Sequence, residues 1–281
     1  MAKAAKAAKA AKAATAAKAK PESTAIAVVE DSKYLAINGK STISEETLAA
    51  NKETIEIGDL TKVKVPSGGD TTWLIKSPIG DDEATRTIEG VFAIYAFNGV
   101  LWPTEGDSPS GSLPVLISPD LKRGYRMGDD LGDLDLSELD KAAIPGEFDE
   151  QGRPVVDWEK LSYCQWGSSG RGNGKRAKER RIIGVLREGD KFPILINCPP
   201  TSLRNVTGFV KKLIMADVPH YQTVIRLSLS KTTSGGNDFS VVEVEGLGKI
   251  SDEEAAFVRE RFTKPTMKEF EKVSAYIETE E

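Results

Sequence analysis

A fixed succession of short apolar runs between Arg181 and Val244 constrains the fold of this chain more than any other feature. Arg181–Arg187 (RIIGVLR) reads as a strand, Glu188-Gly189-Asp190 as a turn, and Phe192–Asn197 (FPILIN) as the returning strand. Pro199-Pro200 breaks the chain. Leu203, Val206, Phe209, Val210, Leu213 and Ile214 then follow the 3-4 spacing of an amphipathic helix, with Thr201 or Ser202 as its cap. Thr223–Ser230 and Phe239–Val244 are two more strands, joined by a hairpin loop over Thr232–Asn237. Ser251 with Glu254 makes a capping box for a helix to about Arg261, Pro265 interrupts, and a last helix heads toward Glu278–Glu281. Together with Val91–Phe97 (VFAIYAF), the order is strand, strand, strand, helix, strand, strand. This predicts a β-rich α+β fold: an OB-like five-stranded barrel with a helix between strands 3 and 4, extra N-terminal strands and C-terminal helices. An unrelated α+β sheet shares the same local order.

Upstream, Thr24–Val29, Thr54–Ile57, Thr61–Val65 and Thr72–Ile75 are short β-branched runs between turn residues. Asn98-Gly99 ends Val91–Phe97 as a turn dipeptide and makes Val100-Leu101-Trp102 the return strand of a hairpin. Residues 1–22 carry Lys3, Lys6, Lys9 and Lys12 among alanines, a period of three that forms no apolar helix face. They are expected to be a mobile tail, either touching phosphates or solubilising the chain. The domain is expected over 23–262, with an acidic insertion at about 120–160 and a C-terminal helix and acidic tail over 263–281. Asp129, Asp130, Asp133, Asp135, Glu138 and Asp140 lack EF-hand spacing, so an acidic loop or short helix is expected there.

The chain has a formal charge of −5, so affinity for a polyanion has to come from a local patch. Gly167–Arg187 supplies one. Arg171, Lys175, Arg176, Lys178, Arg180, Arg181 and Arg187 are interrupted only by Glu179, with Tyr163 and Trp166 just upstream. Cations that hold phosphates beside rings that stack on bases are the needs of a sequence-tolerant single-strand site; a solvated charged loop is the plainer reading. A phosphate-loop match fails, because Ser169 stands where the first glycine belongs, Arg176 where the hydroxyl belongs, and a strand follows instead of a helix. Tyr95 and Phe97 share strand parity and are expected to pack in the core.

Catalytic and metal chemistry find few residues. The single histidine, His220, reads as a satisfied or exposed turn residue, and no GxSxG elbow is present. Cys164 and Cys198 read as reduced thiols, and one histidine with two scattered cysteines does not make a zinc site. Glu243 and Glu245 share a strand face and could hold a metal only with a third ligand, so no cofactor is expected. No apolar run approaches the roughly 20 residues of a membrane span, so a cytoplasmic protein is expected.

The strings GSSGRGNGKRAKERR, LREGDKFPILI and PPTSL, within roughly residues 90–250, resemble single-stranded DNA-binding proteins of tailed bacteriophages and related mobile elements. The resemblance implies an OB-like core and non-catalytic binding of single-stranded DNA in phage replication or recombination, in the host cytoplasm. Members carry cysteines of a small zinc knuckle around the segments matching Leu116–Ser118 and Tyr163–Trp166. Here Cys164 alone remains, so the knuckle is degenerate or absent. The acidic Glu278–Glu281 end is expected to limit self-association or to recruit replication and recombination proteins. The competing readings are a virion or scaffold-associated structural protein, which would self-assemble, and a metal-dependent nuclease using strand carboxylates.

Overall fold

The computed structural model describes residues 59–76, 81–104, 114–128, 130–170 and 174–270. The readings made for 1–22, Thr24–Val29, Thr54–Ile57, Arg171 and Glu278–Glu281 lie outside these residues. In chain order the strands are β1 (Lys62–Lys64), β2 (Trp73–Ile75), β3 (Glu83–Thr85), β4 (Thr87–Leu101), β5 (Leu116–Ser118) and β6 (Arg123–Arg126). Helix α1 (Leu136–Lys141), β7 (Ala143–Phe148), β8 (Pro154–Asp157), β9 (Lys178–Leu186), β10 (Ile194–Cys198) and α2 (Leu203–Met215) follow. The hairpin β11 (Thr223–Ser234) and β12 (Asn237–Lys249) precedes α3 (Asp252–Val258), a π-turn (Arg259–Thr263) and α4 (Lys264–Phe270).

The fold is mixed α+β and strand-rich, built on one large open sheet. Among the described residues that sheet has ten strands, in the order β1-β10-β9-β4-β5-β6-β8-β7, with β11 and β12 branching from β4. No ladder closes it into a barrel. Strand β1 lies parallel to β10, and beyond it Ser67 makes a single bridge to Phe239 of β12. Among the described residues no helix is long and apolar enough to cross a membrane.

The sheet is buried on both faces, which explains the unbroken apolar run of β9. Ile183 and Val185 join Phe92, Ile194, Ile196, Ile225 and Leu227 in one cluster, together with Val206 and Leu213 of α2. Ile182 and Leu186 point the other way, into a cluster with Val91, Ala93, Leu195, Val258, Phe262 and Phe270. Each fully buried large side chain stabilises by roughly 1.5–3 kcal/mol, so neither cluster is dispensable.

Three local readings change. Asn98-Gly99 is no turn: β4 runs straight through it for 15 residues, because Val100 and Leu101 pair with Ile117 and Leu116 of β5. Gly99 is there for space. A Cβ on it would come within 2.7 Å of the ring of Trp158, a fully buried side chain. The acids Asp130 to Asp140 do form a loop and a short helix, α1, capped by Asp135, while β6, β8 and β7 on either side extend the sheet around Trp158. Pro265 does not interrupt the C-terminal helix. A π-turn just before it widens the helix, which tolerates the missing N–H, and Thr263 on that turn donates 2.7 Å to the Ala93 carbonyl. The expected loop over Thr232–Asn237 is mostly strand, turned by Gly235 and Gly236 alone, whose φ of 58° and 82° suit a tight hairpin.

Other signals hold. Ser251 and Glu254 form the reciprocal capping box. Ser202 sits at the N-cap of α2, but its Oγ accepts from the Val242 backbone N–H at 2.9 Å, tying the helix to β12 instead of capping it.

Strand β4 shifts register against β9 between Phe92 and Ile94, just past its ladder with β11, and at Gly90 a Cβ would fall 2.2 Å from the Leu186 carbonyl oxygen. Backbone cannot step aside as a side chain can. Gly90→Ala is therefore expected to destabilise the protein by about 1–3 kcal/mol. An unchanged urea midpoint would show that the two strands can separate freely.

Candidate nucleic-acid interface

The basic run begins on a loop whose base is knitted to itself. The Gly167 and Ser169 N–H groups donate to the Gly174 carbonyl at 3.1 and 3.0 Å. Ser168 Oγ donates to the Tyr163 carbonyl at 2.8 Å and accepts from the Arg176 N–H at 2.9 Å. The cations past Gly174 are thus carried by ordered backbone running into β9.

The structure separates the expected site residues into three groups. Tyr163 and Arg176 are engaged inside the chain. The Tyr163 hydroxyl accepts from the Asp135 N–H at 2.7 Å, and the Arg176 guanidinium lies 5.2 Å from its ring centroid. Arg176 also donates to the Pro103 carbonyl at 3.0 Å and pairs with Asp133, leaving its side chain 11% exposed. These contacts pin the acidic insertion against the base of the loop.

Arg187 stands apart at the far end of β9, six residues and about 20 Å beyond Arg181 at ~3.3 Å per residue. It is held by Asp190 and Glu83, each at 2.7 Å. Lys178 donates to the Lys175 carbonyl at 2.8 Å. With Arg180 it occupies the same sheet face as Ile182, opposite to Arg181.

The remaining residues line up on one face. Trp166 is 79% exposed, and Lys175 Nζ lies 5.6 Å from its ring centroid. Lys175 also pairs with Glu179 at 2.6 Å, two residues before Arg181 on the same side of β9. The Arg181 guanidinium in turn lies 4.4 Å from the ring of Phe97, its cross-strand partner, which is 36% exposed. Two solvent-facing rings, each with a cation over it, therefore stand near the end of the β4–β9 ladder; Lys175 is partly exposed, whereas Arg181 is only 9% exposed and donates to the Arg180 carbonyl at 2.9 Å. Phe97 is the residue that sequence reasoning placed in the core. Only its register opposite Arg181, at the end of the packed layer, brings it out.

Behind Phe97 lies His220, the expected turn residue, half-buried at the start of the turn His220–Gln222 and hydrogen-bonded to the Ala93 backbone. Its ring is 5.3 Å from Phe92, 5.4 Å from Tyr221 and 6.4 Å from Tyr95, which meets Phe97 at 5.6 Å. Burial pushes its pKa down to about 4, against a hydrogen bond to the Ala93 backbone that raises it, and its Nε2 has no hydrogen-bond partner. Cys164 and Cys198 are buried free thiols in different clusters, and burial pushes both up to about 12. Among the described residues no three His, Cys, Asp or Glu side chains gather into a metal-binding group.

Comparison with protein-family models, with curated proteins and with solved structures finds no match. What the strip does has to be argued from its own chemistry.

The histidine gives this region a pH signature. Its folded pKa lies below the unfolded value of 6.5, so its contribution is complete above pH 6.5 and is lost as pH falls to about 4. The loss amounts to about 3 kcal/mol at ~1.4 kcal/mol per pH unit. Urea midpoints between pH 7 and 4 are expected to fall more steeply for the wild type than for His220→Gln. Parallel curves would contradict the buried, neutral imidazole.

Proposed function

We propose that this protein is a non-catalytic single-stranded DNA-binding protein. Trp166 and Phe97 take bases on their faces while Lys175 holds a flanking phosphate and Arg181, 9% exposed, braces the Phe97 ring. The observation that carries this reading is two exposed rings, each beside a cation, near the end of the β4–β9 ladder. Stacking on a ring tolerates any base, and a cation beside it contacts the backbone without reading sequence. The resemblance of the basic run to phage single-stranded DNA-binding proteins supports the same reading, with replication or recombination as its setting.

The strand pairing supports an OB-like reading of the five central strands. Ladders β4–β9, β9–β10, β11–β12 and β4–β11 are all present, with α2 between the third and fourth strands. A barrel of this order closes by joining its third strand to its fifth. Here residues 62–67 span that gap, from the β1–β10 ladder to the Ser67–Phe239 bridge. The basic loop then occupies the connection between the first two strands, a segment with which OB-folds grip oligonucleotides. The other usual surface, the face of strands 2 and 3, lies here under Phe262, Phe270 and the C-terminal helices. Binding is therefore assigned to the end of the strands and the loop.

Tyr163, Arg176 and Asp133 take a different role in this reading: they hold the loop so that Trp166 and Lys175 face outward. Fluorescence anisotropy with labelled oligo-dT separates the roles. Trp166→Ala is expected to weaken binding about 5- to 150-fold, the equivalent of the ~1–3 kcal/mol carried by one stacked base. Lys175→Ala should reduce the slope of log affinity against log salt by about 0.7, one phosphate contact on a single strand. Arg176→Ala should lower stability with little change in slope. A wild-type protein that fails to bind at low salt, or binds without a steep salt slope, would contradict the proposal.

A further inference from the structure

Helix α2 carries a cationic face that nothing else in the chain explains. Arg204, Lys211 and Lys212 are exposed, and the helix LRNVTGFVKKLIM contains no acid at all in a protein of formal charge −5. Among the described residues none of the three makes an ion pair or a side-chain hydrogen bond. Lys175, Arg176 and Arg187 of the basic run, by contrast, each have an acidic partner. Arg204 and Lys211 lie seven residues apart, about 10.5 Å along the axis at 1.5 Å per residue, on the stripe that continues to Met215, which is 88% exposed. Val206 and Leu213 occupy the opposite, buried side.

Gly208 sits between these cations on the same stripe. A Cβ there would meet nothing within 4 Å, so no packing inside the chain requires glycine. Glycine in a helix interior is unfavourable, and its presence on an open cationic face fits close approach by something outside the chain.

The segments that flank α2, each five residues from the helix, meet the ring and cation strip. Cys198, just before the helix, pairs with Arg181, whose guanidinium covers Phe97. His220, just after it, contacts Tyr95, which contacts Phe97.

We infer that the exposed face of α2 is a second phosphate-binding element, continuing the path of a single strand from Trp166 and Phe97 across Arg204, Gly208, Lys211 and Lys212. This rests on the binding reading above and extends it. The occupant is a nucleic-acid backbone because the face offers three exposed cations with no acidic partner among the described residues, with the exposed Ile214 and Met215 only at its C-terminal end. Contacts of this kind hold a strand without reading its bases. The site therefore engages more nucleotides than the loop alone reaches, and it does so through charge.

The test is a salt titration of oligo-dT and oligo-rU binding to the wild type, to R204A/K211A/K212A and to Gly208→Ala. Three lost phosphate contacts should reduce the salt slope by about 2. The triple variant should keep the thermal midpoint of the wild type, since it removes only exposed side chains. Gly208→Ala should raise the midpoint while weakening binding, a combination a purely structural glycine would not give. Equal losses on the two oligonucleotides mark a contact to phosphate; a loss on one alone would contradict a backbone contact. If the wild type binds with a steep slope and the triple variant keeps that slope, the role of α2 is overturned and the loop site stands. If the wild type does not bind either oligonucleotide, the binding reading itself falls.

Discussion

Strand β4 is the element on which the rest of the structure depends, because three neighbours share it. Strand β9 pairs with one edge from Val91 to Val100. The other edge is divided: β11 takes Thr87–Val91 and β5 takes Gly99–Leu101. A strand with an open stretch in the middle of a core would leave backbone groups to be satisfied. Here the Ala93 carbonyl is met by the Thr263 hydroxyl and by His220, so the C-terminal helices and the turn before β11 stopper the gap. The division of that edge sends the central strands one way and the insertion the other, and it leaves Tyr95 and Phe97 at the junction.

The same junction decides which charges are available outside the molecule. A basic run read as one patch separates in three dimensions, because consecutive residues of a strand face opposite sides and a strand carries its ends apart. Arg176 is spent on holding the insertion, and Arg187 on a turn at the far end. What remains near the junction is Lys175, partly exposed beside Trp166, with Arg181 held against Phe97 at 9% exposure; the cations of α2 are exposed and have no ion pair among the described residues. An acidic protein can concentrate positive potential in this way without becoming basic overall.

Much of the central architecture was legible in the sequence. The runs at Arg181–Arg187, Phe192–Asn197 and Thr223–Ser230 are strands, and Leu203 to Ile214 is a helix, because each has a period that only one element satisfies. The capping box at Ser251 forms because its two hydrogen bonds are local. The misreadings share one cause: a local signal overridden by a distant partner. Asn98-Gly99 has turn chemistry, but Trp158 needs the space that Gly99 leaves, and Ile117 needs the strand to continue. Pro265 has breaker chemistry, but a π-turn and the packing of Phe262 and Phe270 keep the helix going. The acids of the insertion suggested a loop or short helix, which α1 bears out, but not that Leu134, Leu139 and Val156 bury themselves around Trp158. In the site, Trp166 was readable from its polar, glycine-rich company. Phe97 was not, because its exposure follows from strand register. The face of α2 was legible only as a helix, since ion pairing is invisible to a linear reading.

Tryptophan fluorescence tests the central claim most directly, because the protein supplies its own probe. Trp73, Trp102 and Trp158 are buried at 0%, 7% and 1% exposure, while Trp166 alone is 79% exposed. If bases stack on the strip, unlabelled oligo-dT quenches the red-shifted emission of Trp166 in step with binding followed by anisotropy, and Trp166→Phe removes the quenching while leaving the buried emission unchanged. Binding that proceeds to saturation with the Trp166 emission unaltered would contradict the account.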